Sequence, residues 1–213
     1  MKTFSWISIV AFLYLLVLLW TCYCAWETRN SAKVLGWRSI EQLGPNIDEG
    51  NVKLYVGLKW RKIYTHDISG GFFDNLISAR RMNVGNESAL LYSILYDLEL
   101  MKDDSGVFHF KLCYPELTQH EFPCNEWTQS SNPVTHSQVK NFVSIHLTWP
   151  NRADGKPFAG LMRSNPGHNL MDDDPSEELW WNSVGTIQDY QGKIPGPANI
   201  TVSRTELYVY TSP

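Results

Sequence analysis

The chain has 213 residues, of which 43% are hydrophobic, 19% charged and 13% aromatic, far from the low hydrophobicity and high charge that keep a polypeptide disordered. Its 18 Lys and Arg against 22 Asp and Glu give a net charge of −4 with no basic block, which removes the electrostatic footprint of a nucleic-acid binder. Length and apolar content leave room for one large domain or two small ones, with enough apolar side chains for a real core.

Residues 1–24 read as a signal peptide: Lys2 precedes an uncharged apolar run from 6 to 20, and a cut after Cys24 puts the small Cys22 and Cys24 at the two positions that a signal peptidase inspects. A cut after Ala25 would put the bulkier Tyr23 at the first of them. The competing reading is an uncleaved signal anchor, because the run extended to Trp26 approaches the ~20 residues that span a bilayer. Both readings send the remainder out of the cytosol, and no second apolar run of that length follows. Cleavage removes Lys2, Cys22 and Cys24, shifting the net charge from −4 to −5 and leaving Cys113 and Cys124. In an oxidising compartment two lone cysteines close in sequence pair, and the closed loop contributes about 3 kcal/mol on the chain-entropy estimate. A catalytic or metal-binding thiol pair is the alternative, with neither CxxC spacing nor a His-rich surround behind it. The sequons Asn86-Glu87-Ser88 and Asn199-Ile200-Thr201 are expected to carry glycans there.

Residues 25–50 form a polar lead-in segment with turn signals at Gly44-Pro45 and Asp48-Glu49-Gly50, and residues 51–213 read as a single extracellular domain. Val52, Leu54, Val56, Leu58 and Trp60 alternate with Lys53, Tyr55 and Lys59, predicting a half-buried strand. After the Gly70-Gly71 break, 73–81 reads as a short helix; Asn86 can cap another through Met101, although its periodicity is broken enough to allow a strand. Residues 107–114 alternate again, with Phe108, Phe110 and Leu112 opposed to His109, Lys111 and Cys113. Residues 115–133 read as a loop tied by Cys113 and Cys124. Val143, Ile145, Leu147 and Trp149 mark a strand that stops at Pro150. A long loop over 150–178, a strand over 179–187, a turn region over 192–197 and a last strand over 201–210 complete the chain. Alternating strands without regular βαβ order predict a mainly β fold, an antiparallel β-sandwich of jelly-roll or lectin-like kind with one or two short helices.

GxSxG, HExxH, P-loop and GxGxxG motifs are all missing, so four large enzyme classes lose their simplest support. The run Asp172-Asp173-Asp174, preceded by His168 and Asn169, is the best local candidate for a cation, because Ca²⁺ takes six to eight oxygens. Its spacing matches no EF-hand, a hydrated acidic loop is the simpler account of it, and no other cofactor is expected. Six histidines, at 66, 109, 120, 136, 146 and 168, show no zinc-ligand spacing. Trp180 and Trp181 are adjacent and on a strand would point to opposite faces. An outward Trp beside amides and carboxylates such as Asn125, Glu126 and Gln129 is how a sugar-binding surface is built, which makes Asn125, Glu126, Trp127, Trp180 and Trp181 candidate contacts. The competing reading has these aromatics simply packing the core.

The runs Phe110-Lys-Leu-Cys113-Tyr-Pro-Glu-Leu117, Cys124-Asn-Glu-Trp127-Thr-Gln-Ser-Ser-Asn-Pro133, Trp180-Trp-Asn-Ser-Val-Gly-Thr186, Ile194-Pro-Gly-Pro197 and Glu206-Leu-Tyr-Val209 resemble a group of secreted marine-invertebrate proteins, some of them named as uncharacterised skeletal organic matrix proteins. The resemblance covers roughly residues 107–210 and is most specific in the cysteine loop. It implies extracellular residence and a paired Cys113 and Cys124, and it carries over no catalytic residue. Three functions are then in view: a secreted, non-enzymatic protein that binds an extracellular glycan or matrix component; a secreted glycan hydrolase with a carboxylate pair drawn from Glu116, Glu126 and Asp172–Asp174; and a single-pass surface protein that keeps its leader and so touches the membrane.

Overall fold

A computed structural model describes residues 59–164, 167–174 and 180–211, all within the second of the chain's two units, Gly57–Pro213. The leader and the lead-in segment lie outside the described residues, as does the alternating run before Lys59. Ten strands are described: β1 (Lys59–Asp67), β2 (Leu91–Ser93), β3 (Phe108–Cys113), β4 (Cys124–Gln129), β5 (Val143–Leu147), β6 (Met162–Arg163), β7 (Met171–Asp172), β8 (Ile194–Pro195), β9 (Thr201–Val202) and β10 (Arg204–Thr211). Six make one antiparallel sheet in the order β2-β1-β10-β3-β4-β5, and β6-β7 and β8-β9 make two small ribbons. One short helix, α1 (Leu76–Arg80), and 3-10 turns at Ile68–Gly70 and Leu95–Met101 complete the mainly β, antiparallel architecture.

Period-two patterning decides which way each strand of the sheet faces. Phe108, Phe110 and Leu112 of β3 lie opposite Gln129, Trp127 and Asn125 of β4, while Leu207 and Val209 of β10 lie opposite Leu112 and Phe110, and all are buried on the inner face. A bulge at Ile63 lets both Ile63 and Tyr64 sink into the core while the neighbouring register is kept. The layer over this face comes from the chain between Trp149 and Val202. Phe158 meets the Trp127 ring edge-on at 5.1 Å, the Leu161 N–H donates to the Gln129 amide oxygen at 3.1 Å, and the Gly185 N–H donates to the Tyr64 hydroxyl at 2.8 Å. Gly185 has φ of +73°, and a Cβ there would stand 2.5 Å from that of Leu170, so both the turn and the close approach require glycine.

α1 falls inside the stretch expected to be helical and is closed by a capping box: the Asn75 side chain accepts from Ile77 and Ser78, and Ser78 Oγ accepts from the Asn75 N–H. The segment from Asn86 to Met101 divides into both of its alternatives, a strand at β2 and then the 3-10 turn, whose three-residue period buries Leu95, Leu98 and Met101. Two expectations are corrected. The polar stretch 115–133 contains β4, a full inner strand, because Asn125 and Gln129 satisfy their amides internally: Asn125 bonds both backbone groups of Trp149, and Gln129 bonds Trp127, Ser131 and Leu161. Where the expected strand over 179–187 is described, from 180 to 187, the chain is irregular, with one bridge, from Val184 to Met171. β5 is found as expected, yet it is the sheet's edge strand and leaves Val143 60% and Ile145 41% exposed.

Candidate ligand-binding face

The face of the sheet turned away from the core gathers side chains that the linear sequence scatters. Register places Tyr208 opposite Lys62 on one side and Lys111 on the other, Lys111 opposite Glu126, and Glu126 opposite His146. One step along, Tyr210 lies opposite Trp60. Lys111 lays its ammonium over two rings, 4.3 Å from the Trp60 centroid and 5.1 Å from that of Tyr208, and Lys62 stands 5.7 Å from the same tyrosine ring. Tyr210 closes on Trp60 edge-to-face at 5.6 Å and on the His109 ring at 5.4 Å.

Glu206 organises this surface. Its Oε1 accepts from Lys62 Nζ at 2.8 Å and Arg204 Nη2 at 2.7 Å, and its Oε2 from the Tyr208 hydroxyl at 2.6 Å. Burial opposes its charge, but these three donors outweigh burial and hold the carboxyl below its ordinary range. The Tyr208 hydroxyl is correspondingly pushed up, by burial and by its bond to Glu206. Lys111 and Glu126 differ: burial lowers the lysine and raises the carboxyl, and their mutual attraction only partly offsets this. Lys62 and Arg204 have carboxylate partners, with Asp67 3.5 Å from Arg204, whereas among the described residues no carboxylate lies within ion-pair distance of Lys111.

The sequence-derived contact set is divided by the sheet. Glu126 is on the outer face; Asn125 and Trp127 are on the inner face with 0% exposure, so neither offers a surface to a sugar. Trp180 and Trp181 leave the sheet altogether and, instead of pointing to opposite faces, both meet the ring of Tyr190, at 5.9 and 5.6 Å; Trp180, half-buried, also lies 5.3 Å from His168. Cys113 and Cys124 are cross-strand partners joined by a disulfide with Cα atoms 4.1 Å apart, pinning the β3–β4 pair. Asn86 and Asn199 are both exposed.

Asp172, Asp173 and Asp174 do not form a hydrated loop: they are 2%, 2% and 7% exposed. Asp172 accepts from the Asp174 N–H and from Asn169, and Asp173 accepts from Asn182, whose own oxygen accepts from the Tyr114 hydroxyl. Arg152 lies 3.4 Å from Asp174, is paired with Asp154 and donates to the Asp173 carbonyl. The run is thus an internal network already supplied with a cation, and among the described residues no group of three or more His, Cys, Asp or Glu is arranged to hold a metal ion. The network belongs to the chain segment layered over the inner face, whereas Glu126 is on the outer face of the sheet. Glu116 lies at a turn, where its carboxylate caps the Ser203 N–H at 2.7 Å.

Trp60, Lys62, Lys111, Glu206 and Tyr208 were not singled out by sequence reasoning. Lys111, Glu206 and Tyr208 occupy polar-parity positions of alternating strands, a local signal, whereas Trp60, expected on the apolar face, is on the outer one; their convergence depends on β10 lying between β1 and β3. Among the described residues no helix is long and apolar enough to cross a membrane. No family model, curated protein or solved structure matches the chain.

Proposed function

We infer that this chain is an exported, non-enzymatic binding protein of the extracellular surface or matrix, and that its outer sheet face engages a glycan. The observation that carries this reading is the grouping of Trp60, Tyr208 and Tyr210 with Lys62, Lys111 and Glu126 on one face. Flat apolar rings supply stacking area for the C–H faces of a sugar, while an ammonium and a carboxylate on neighbouring strands supply a donor and an acceptor for its hydroxyls. The disulfide, the two exposed sequons and the leader-like first 24 residues support export.

The test is a glycan array probed with the secreted protein and with Trp60→Ala and Tyr208→Ala. Binding that falls at least tenfold in both variants, and survives in Trp180→Ala, is the expected result. An array without signal, or one on which Trp60→Ala binds as well as the parent, would remove the outer face from consideration.

A further inference from the structure

Among the described residues, the ammonium of Lys111 is held by rings and not by an ion-pair contact. Two rings hold it, at 4.3 and 5.1 Å, and no carboxylate among the described residues pairs with it, although Lys62 and Arg204 beside it share Glu206. Glu206 already accepts from two cations, Lys62 and Arg204, and from the Tyr208 hydroxyl, and it makes no ion-pair contact with Lys111. Lys62, Lys111 and Arg204 thus gather around Tyr208; Lys62 and Arg204 are in ion-pair contact with Glu206, Arg204 also lies 3.5 Å from Asp67, and Lys111 is left with only the through-space attraction of Glu126. Glu126 is the remaining carboxyl in view of Lys111, and it stands across the strand pair without an ion-pair contact.

We propose that the outer face takes an anionic glycan, a sulfated or uronate-bearing sugar whose acidic group meets the Lys111 ammonium. The proposal rests on the glycan reading of the same face and narrows it to one ligand class. A neutral sugar stacking on the Trp60 face that carries the ammonium displaces Lys111 from that ring and forfeits the cation–π contact there. A sulfate or carboxylate approaches the ammonium from solvent, leaves both contacts in place and forms a charge-assisted hydrogen bond with a donor that is already oriented.

Surface plasmon resonance of the secreted chain on immobilised dextran sulfate and unsulfated dextran separates the two levels of the argument. The expected result is binding to dextran sulfate at least tenfold tighter than to dextran, weakening steeply between 50 and 500 mM NaCl on the order expected from charge screening. Lys111→Gln should lose about tenfold on dextran sulfate while Lys111→Arg retains binding, since 1.4 kcal/mol of charge-assisted contact is tenfold in affinity. Equal binding of both polymers, or a Lys111→Gln variant within twofold of the parent, overturns the anionic assignment and leaves the glycan reading standing. Failure of both polymers together with an empty array overturns both. If Lys111→Gln shows no melting transition, salt-independent binding of the parent to dextran sulfate is the overturning result.

Discussion

Trp127 shows how much a residue's neighbours in sequence and its neighbours in space can differ. Asn125, Glu126 and Gln129 around it look like the polar surround of a sugar platform, yet the pleat sends Glu126 one way and the other three the opposite way. Its indole N–H donates to Gln129 at 2.8 Å, and its ring packs between Phe110 and Phe158. Trp127→Ala should therefore cost about 3–5 kcal/mol of stability, the range for deleting a buried aromatic, as read from urea denaturation. Glycan binding by whatever protein remains folded should be unchanged. The amides on either side were legible as polar but not as buried, because only the tertiary structure brings the Trp149 backbone and the Leu161 carbonyl to satisfy them.

Elements were readable in proportion to how local their causes are. β3 has clean alternation and was placed within a residue at each end, and α1 has a cap that a short-range rule can find. Because that cap's Oδ1 accepts from two backbone N–H groups at the start of a five-residue helix, Asn75→Ala is expected to cost about 1 kcal/mol, seen as a lower urea midpoint with an unchanged slope. β5 was found from its alternation but its burial was not, since an edge position exposes residues that the same pattern would bury in the sheet interior. The segment around Trp180 misled for the opposite reason: apolar and aromatic side chains there serve ring contacts in an irregular loop, which a two-residue period cannot distinguish from a strand.

At the scale of the whole molecule, buried titratable groups set the pH range in which the fold is most stable. Burial pushes the Asp172 carboxyl up to about 6 and that of Asp173 up to about 7, and pushes His66 down to about 4. Nε2 of His66 donates to the Gly71 carbonyl at 3.0 Å and its Nδ1 is buried without a partner, so a second proton has nowhere favourable to go. His66 is neutral in the fold where an unfolded histidine, with its pKa near 6.5, is charged, and it therefore costs stability as the pH falls from 6.5 toward 4. The two aspartates act in the other direction. The fold holds their protons up to about 6 and 7 whereas the unfolded chain releases them above 3.8, so they add stability as the pH falls from 7 toward 3.8. Two carboxyls outweigh one imidazole. The urea midpoint should be higher at pH 5 than at pH 8, and Asp173→Asn should raise the pH 8 value and flatten the difference; a midpoint that falls from pH 8 to pH 5 would show that the network holds no protons.

The place of β10 in the sheet bears on how the protein is made. It lies between β1 and β3 and joins residues as far apart as Lys62 and Glu206, 144 positions distant in sequence. Until it arrives, the β1–β2 pair and the β3–β4–β5 meander each present an open edge that only β10 can close. Formation of the central sheet must therefore wait until Arg204–Thr211 is available to pair. Slow, late folding of this kind selects for a compartment rich in chaperones, and it makes β10 the segment whose delay would most readily divert the nascent chain into aggregates.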